Sequence, residues 1–218
     1  TPILSRTQQA VYLNDGEVAT LTLEGNLSIK TLSNEDMTPA IHKIEMEISQ
    51  LEISNALSGV STACPGTPVQ IDRASFNGID YALQASTGAS ISGTNVLITS
   101  GAYSPILAYN SGAKGSTRID LNQATVVATG DPSKPAVRAT VANQVQATDS
   151  ISVSFRNSII TGFEKTWQIE SPDSNTIGDA TLNFDYSSFD PVGTGTGDVA
   201  VNQGVGNISG APGFAGRS

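Results

Sequence analysis

Residues 151–160 read ISVSFRNSII, and residues 117–127 read TRIDLNQATVV. Each stretch begins with an apolar-x-apolar element, passes through a short polar step that contains asparagine, and continues as a second apolar strand. Side chains alternate between the two faces of a strand, so each element presents a row of apolar side chains on one face. Both stretches therefore follow one pattern, two short strands joined by a polar corner.

The same pattern returns about every 26 residues along the chain. A third apolar strand follows in several repeats, for example at Ile106 and Ala108. The first element occurs at seven places: Leu21-Thr22-Leu23, Ile44-Glu45-Met46, Val69-Gln70-Ile71, Ala89-Ser90-Ile91, Thr117-Arg118-Ile119, Ile151-Ser152-Val153 and Ala180-Thr181-Leu182. Three short strands per repeat with an aligned apolar row predict an all-β fold, a parallel β-helix (solenoid) of about seven irregular coils.

This alignment makes two specific predictions inside the coils. It places Ile71, Ile91 and Ile119 beside one another in the interior row. It also places Asn95, Asn122 and Asn157 near one recurring corner. Asparagine tolerates left-handed backbone and bonds to nearby backbone, so stacked corner asparagines are expected to form a hydrogen-bonded row.

An antiparallel β-sandwich is the alternative fold, because short strands with turns every 8–12 residues also fit that architecture. The aligned repeats favour the solenoid, since a sandwich has no reason to show them. Residues 37–57 are open to two interpretations: Ile44, Met46 and Ile48 alternate as in a strand, whereas Ile41, Ile44, Ile48 and Leu51 fit one face of a helix. The strand keeps the apolar row and is preferred, with a capping helix as the alternative.

The amino-acid composition excludes several classes of protein. The chain has 218 residues, a formal net charge of -9 and only 14% charged residues, against ~25% in ordinary soluble domains. The negative charge predicts no nucleic-acid partner, and no apolar run approaches the ~20 residues of a membrane-spanning helix. Cys64 is the single cysteine, which argues against a disulfide framework. Low charge with abundant Ser, Thr, Asn and Gly indicates an extracellular or cell-surface location.

The repeats suggest a three-part organisation. Residues 1–60 are expected to form N-terminal coils or a cap, residues 61–190 the parallel coils, and residues 191–218 a Gly-rich C-terminal tail. Within the tail, residues 193–198 read GTGTGD and are expected to be a flexible loop, because neither a phosphate-binding loop nor a calcium-binding repeat fits them.

The repeats over residues 69–189 resemble right-handed parallel β-helix repeat proteins. The segment GNISGAPGF at residues 206–214 resembles the one that follows the last coils in bacterial secreted or surface proteins of the choice-of-anchor Q type. The resemblance implies a right-handed β-helix in a secreted or surface protein. Some enzymes of the β-helix class, the pectate lyases and polygalacturonases, use clustered aspartates with Arg or Lys on the outer face of the first strand.

In this chain the corresponding candidates are Asp72, Arg73, Arg118 and Asp120, as ligand-binding residues. Of these, Asp72, Arg118 and Asp120 are weak candidates for catalysis, because no Asp-Asp pair occurs and neutral serines separate the charged coils. Glycosidase chemistry would need two carboxyl groups ~5–9.5 Å apart with different pKa values. An enzyme would bring the three residues together in a groove, whereas a scaffold would spread them over a face.

The outer row of the first strands contains Glu24, Glu47 and Asp72 in the predicted alignment. Successive coils lie ~4.8 Å apart, so these carboxylates would repel one another unless a cation or a proton relieved them. Clustered carboxylates suit Ca²⁺, and calcium is the one possible cofactor; a solvated acidic face is the alternative. The expected function is therefore a non-catalytic extracellular scaffold or binding module for a glycan or a surface protein, with a polysaccharide lyase or glycoside hydrolase as the alternative.

Overall fold

The protein is all-β throughout the part of the chain that its computed structural model describes, namely residues 9–11, 15, 17–21, 27–33, 35–37, 41–43, 46–100, 103–110, 115–128, 130–131, 133–141, 150–162, 164–170, 180–197 and 199–210. These residues contain 23 strands and no helix. The chain divides into two compact units, Thr1–Glu45 and Met46–Ser218.

The first unit holds antiparallel pairs. Strand β1 (Gln9–Val11) pairs with β5 (Ile41–Lys43), and β2 (Glu17–Leu21), β3 (Leu27–Thr31) and β4 (Asp36–Met37) form a three-stranded sheet. Leu21, which begins the first predicted coil, pairs antiparallel with Leu27. Thr22, Leu23 and Glu24 lie outside the described residues.

The second unit is built from two parallel sheets. The first sheet has six strands, in the spatial order β21 (Gly193–Thr196), β18 (Trp167–Glu170), β15 (Val137–Val141), β12 (Ile106–Asn110), β10 (Tyr81–Ser86) and β8 (Ser58–Thr62). All pairings between described strands of this unit are parallel, which rules out an antiparallel β-sandwich for it.

The second sheet has twelve strands and branches at one long strand, β11 (Ser90–Ser100). On one side β11 pairs with β9 (Pro68–Ile79), which in turn pairs with β6 (Met46–Ser49) and β7 (Glu52–Ser54). On its other side β11 pairs with two series of strands. The first series is β13 (Thr117–Asn122), β16 (Ile151–Arg156), β19 (Ala180–Asp185) and β22 (Val199–Gln203). The second series is β14 (Thr125–Val127), β17 (Ile159–Thr161), β20 (Ser188–Phe189) and β23 (Ile208–Ser209).

The central apolar row is confirmed. Ile91, Ile119, Val153 and Leu182 pair in register on four successive strands, and each is at most 1% exposed. The row continues to Val201 on β22. Strand assignment is also confirmed at residues 46–49, where a capping helix was the alternative.

The predicted alignment is wrong by two residues at one end of the row. Val69, not Ile71, pairs with Ile91, and Ile71 pairs with Gly93. Likewise Ile48, not Met46, pairs with Ile71. A slip of two residues keeps every side chain on its own face, so the alternation of apolar and polar residues does not distinguish the two registers.

A left-handed residue occupies the corner position in six successive sequence repeats, inside the long strands β9 and β11 and directly after the first strand in the other four. These residues have φ between 48° and 57° and are Gln50, Arg73, Asn95, Gln123, Asn157 and Tyr186. Asn95 and Asn157 therefore occupy the predicted corner, whereas Asn122 lies one residue before it. The Asn157 side-chain amide donates to Asn122 Oδ1 at 3.0 Å, and that of Asn95 to Asp72 Oδ1 at 3.4 Å. These side-chain hydrogen bonds thus join neighbouring repeats, and in one of them the acceptor is Asp72 rather than an asparagine.

Buried serines provide a second set of bonds between coils. The Ser187 hydroxyl accepts from the backbone N–H of Ser158 at 3.2 Å and donates to the carbonyl of Asp185 at 2.8 Å. The Ser158 hydroxyl accepts in the same way from the N–H of Ala124 at 3.0 Å, and Asn207 Oδ1 accepts from the N–H of Ser187 at 2.8 Å. Each inward hydroxyl or amide therefore satisfies a backbone donor that would otherwise be buried without a partner.

Replacing Ser187 with Ala should destabilise the fold by about 1–3 kcal/mol, because the N–H of Ser158 loses its acceptor inside the protein. Ser188→Ala is the matched control, since the neighbouring side chain is half-buried and Ser188 uses its backbone for pairing. Urea unfolding of both variants measures the difference. Equal stability of the two variants would show that the serine bonds contribute nothing.

Residues 193–196 form a strand that was not predicted from the sequence. Gly193–Thr196 was expected to be a flexible loop, but it is strand β21 and pairs with β18. A Cβ atom on Gly193 would lie 2.1 Å from Trp167 Cδ2. Glycine is used here because the indole ring occupies the space of a side chain.

Aromatic rings stack in the interior at the same end of the unit. Phe184 is fully buried between Phe155 and Phe189, with ring centroids 5.4 Å and 4.1 Å away and nearly parallel planes. Phe155 and Phe184 are direct partners on β16 and β19. The stack fills the core where the apolar row alone would leave space.

Candidate functional site

A hollow of about 520 Å³ lies on the outer face of β11, β13, β16 and β19. The residues of these strands alternate between the core and this face, as the burial pattern of β13 and β16 shows. The face is therefore lined by the polar members of each strand. It combines charged, amide and hydroxyl side chains.

Two rows of polar side chains form the walls. The first row is Ser92, Asp120, Ser154 and Asn183, which pair in register from β11 to β19. The second row lies two residues further along each strand and is Thr94, Asn122, Arg156 and Asp185. Because parallel strands repeat at ~4.8 Å, both rows present a polar group at each coil.

A smaller hollow of about 210 Å³ continues the same face toward β6. Glu47, Gln70 and Asp72 line it, and it shares Ser92 and Thr94 with the first hollow. From Glu47 to Asn183 the first row crosses five strand spacings, or about 24 Å. We call the two hollows together the outer groove.

Amide and hydroxyl groups partly bond to one another in the groove. The Asn183 side-chain amide donates to the Ser154 hydroxyl at 3.2 Å, and Asn202 donates to Asn183 Oδ1 at 2.9 Å. Amides and hydroxyls each offer both donors and acceptors. The walls can therefore pair with a ligand that carries many hydroxyl groups.

Charged groups in the groove are only partly paired. Arg118 Nε lies 3.8 Å from Asp120 Oδ2, and both side chains are about half exposed, so this contact is weak. The Arg156 guanidinium makes no hydrogen bond or ion pair with any other described residue, although Asp185 is its direct strand partner. Arg156 and Asp185 are thus available to a ligand.

The structure brings the predicted ligand-binding residues together only as two separate pairs, Asp72 with Arg73 and Arg118 with Asp120. Asp120 lines the larger hollow and Asp72 the smaller one. The Asp72 carboxylate is held by Arg73 Nε at 2.7 Å. Arg118 lies beside the groove, in the row of Ser90 and Ser152, and lines neither hollow. Asp72 therefore lies apart from the Arg118–Asp120 pair, and the three residues do not converge in one hollow.

The corrected register also changes the predicted calcium ligands. Glu47 pairs with Gln70, and Asp72 pairs with Ser49 and Thr94, so Glu47 and Asp72 are not direct neighbours although they share the smaller hollow. Glu24 lies outside the described residues. Among the residues that the structure describes, no group of three His, Cys, Asp or Glu side chains could hold a metal ion.

Arg156 and Asp185 were not predicted, because the predicted outer rows were those of Asp120 and of Arg118 and not the row two residues further along each strand from Asp120. Both residues stand directly before a left-handed corner, at Asn157 and Tyr186. The signal that finds them is therefore the corner: the residue before it points outward and completes the second row.

A separate hydrogen-bond network surrounds one carboxylate, that of Glu170, on the six-stranded sheet. Glu170 accepts from Arg138 Nη2 at 3.2 Å, from the Thr140 hydroxyl at 3.2 Å and from the Gln168 amide. Partial burial acts to raise the pKa of Glu170, but these hydrogen bonds and the charge of Arg138 outweigh it, so the pKa is lowered from its ordinary value. The network ties β15 to β18.

The lowered pKa predicts a pH-dependent contribution of Glu170 to stability. A depressed folded-state pKa stabilises the fold above the unfolded-state pKa, about 4.3 for Glu, and the contribution is lost as pH falls through the folded-state pKa. Glu170→Gln should therefore lower stability at pH 7 by about 1 kcal/mol or less. At a second, more acidic pH, below the unfolded-state pKa of about 4.3, the difference from wild type should be smaller. The exposed Glu164→Gln, measured by the same urea unfolding at both pH values, is the control; a pH-independent difference would contradict the prediction.

No helix suited by length and hydropathy to crossing a bilayer occurs among the described residues.

Comparison with known proteins gives one short similarity. The chain is 44% identical over 52 residues to a glutamine--fructose-6-phosphate aminotransferase (isomerizing) of Bacteroides thetaiotaomicron. The similar stretch is 24% of this chain and 8% of that enzyme, so the chain spans a small fraction of its length. No family model matches the chain, and no solved structure matches it. The outer groove is therefore interpreted from its own residues.

Proposed function

We propose that the second unit is a right-handed parallel β-helix and that it acts as a rigid, non-catalytic extracellular or cell-surface module whose outer groove binds an extended glycan. The parallel strand order supports the solenoid, because the same series of first, second and third strands recurs with constant register from β13 to β22. The GNIS segment and the low-charge composition support the resemblance to choice-of-anchor Q proteins and the location.

The single observation that carries the binding function is the outer groove itself. Its two rows repeat a hydroxyl, amide or charged group at each coil over about 24 Å. A glycan is a chain of hydroxyl-bearing units, and it matches a row of donors and acceptors better than an apolar peptide would. Asp72, Arg118 and Asp120 do not line one common hollow, which favours binding over catalysis.

Binding to immobilised polysaccharides tests the proposal. The panel contains neutral chains (mixed-linkage β-glucan, xylan, galactomannan), anionic chains (polygalacturonate, alginate) and cationic chitosan. Ser92→Met should abolish binding because Ser92 is exposed and lines both hollows. Ser90→Met is the matched control, two residues earlier on β11 and outside both hollows.

Failure of every polysaccharide to bind, or equal loss in both variants, would contradict the proposed function. Release of reducing ends or of unsaturated uronates from the same panel would replace it by the alternative, a polysaccharide lyase or glycoside hydrolase. Asp120 and Asp185 would then be the carboxylates to substitute first, since both line the larger hollow.

A further inference from the structure

The charges of the outer groove define the class of ligand that it accepts. Four carboxylates line the groove, those of Glu47, Asp72, Asp120 and Asp185, and one guanidinium, that of Arg156, lines its larger hollow. Arg73 holds Asp72 at 2.7 Å and Arg118 lies 3.8 Å from Asp120. Glu47 and Asp185 form no ion pair with any described residue.

A polyuronate would place one carboxylate on each sugar. Laid along the groove, these charges would meet the unpaired carboxylates of Glu47 in the smaller hollow and of Asp185 in the larger one. Arg73 and Arg118 lie beside Asp72 and Asp120, so Arg156 is the one guanidinium lining the groove that could compensate. Like charges repel more strongly beside a protein surface than in bulk water. The net charge of -9 adds a long-range repulsion of any polyanion.

The neutral residues of the groove also favour an uncharged ligand. Ser92, Thr94, Asn122, Ser154 and Asn183 share the two rows with the charged residues. They offer bonds to sugar hydroxyls without a charge to balance. Lone carboxylates such as those of Glu47 and Asp185 can also accept from hydroxyls, as charge-assisted hydrogen bonds.

We infer that the ligand is an uncharged polysaccharide and that the groove rejects polyuronates; this inference rests on the proposed function. Repulsion by the carboxylates of the outer groove thus excludes polyuronates, whatever the shape of their sugars. Specificity of this kind comes from repulsive contacts with the wrong ligand as well as from attractive contacts with the right one.

The experiment compares affinities for the neutral polysaccharides with that for polygalacturonate, at low and at high salt. Wild type should bind a neutral chain at least about tenfold more tightly than polygalacturonate at low salt. Binding to the neutral chain should change little with salt, whereas the weak binding to polygalacturonate should increase as salt screens the repulsion. Thermal melts confirm that each variant used below is folded.

Removal of the two unpaired carboxylates tests the cause. Glu47→Gln combined with Asp185→Asn should raise the affinity for polygalacturonate several-fold. Glu52→Gln combined with Glu164→Gln changes the net charge equally, at exposed positions outside the groove, and should leave that affinity unchanged.

The possible results separate the two proposals. Tight, salt-weakened binding of polygalacturonate would overturn the inference and leave glycan binding in place. An equal gain in both double variants would also overturn it, because net charge rather than the groove would be responsible. Binding of no polysaccharide would overturn the proposed function, and the inference with it.

Discussion

Ile98→Asp should prevent the second unit from folding, or destabilise it by several kcal/mol. Ile98 is fully buried and is the direct partner of Phe76 on one side and of Val126 on the other. A carboxylate at this place would have neither water nor a hydrogen-bond donor, and an unpaired buried charge is among the most destabilising single changes known. Circular dichroism and urea unfolding measure the loss.

Leu97→Asp is the matched control because Leu97 is the adjacent residue of β11 and points outward, where it is 45% exposed. Its replacement should cost less than about 1 kcal/mol. Ile98→Ala gives a second, milder measurement and should cost about 2–5 kcal/mol through the lost contacts and the cavity. Similar losses at residues 97 and 98 would mean that the two faces of β11 are assigned incorrectly.

The alternation of apolar and polar residues carries most of the information about the fold. It predicts the row of Ile91, Ile119, Val153 and Leu182, because each of these positions must exclude water and its neighbours must not. The same alternation leaves the register free to slip by two residues. That freedom explains why Ile71 was assigned to the wrong partner.

The left-handed corner residues fix the register, but several of them are residue types that do not indicate left-handed backbone. Asn95 and Asn157 are expected in left-handed backbone, but Arg73, Gln123 and Tyr186 are not. Had Arg73 been recognised as a corner, it would have aligned with Asn95 and placed Val69 beside Ile91. These longer side chains adopt the corner because the strands on both sides are held by pairing with neighbouring coils.

Prediction of the outer groove was limited for the same reason. Asp120 was identified because its row follows directly from the apolar positions. Asp72 was assigned to that row, but the register places it with Thr94 and Asn122. Arg156 and Asp185 belong to this second row, which was not among the predicted outer rows, so the residues that complete the groove were missed. Which groups share a hollow depends on register, whereas which groups point outward depends only on alternation.

Phe184→Ala should destabilise the protein by about 3–5 kcal/mol, the second large effect that we expect. Phe184 is fully buried and stacks on both Phe155 and Phe189. Its removal would lose the burial of one ring and leave a cavity between two others, which the fixed spacing of the strands prevents from closing. Urea unfolding of Phe184→Ala and of the milder Phe184→Leu measures the cost.

The chain offers a matched control in a second aromatic stack at almost the same separation. The rings of Tyr81 and Tyr103 have centroids 5.5 Å apart, against 5.4 Å for Phe155 and Phe184, but Tyr103 is 44% exposed. Lys134 Nζ lies 5.9 Å from the Tyr103 ring and adds a weak cation–π contact. Tyr103 has one stacked ring but is exposed to solvent, so the difference between Phe184→Ala and Tyr103→Ala reports burial together with the additional stack of Phe184 on Phe189. Tyr103→Ala should cost about 1 kcal/mol. A comparable cost at both positions would show that stacking between coils, rather than exclusion of water from the interior, holds this part of the protein together.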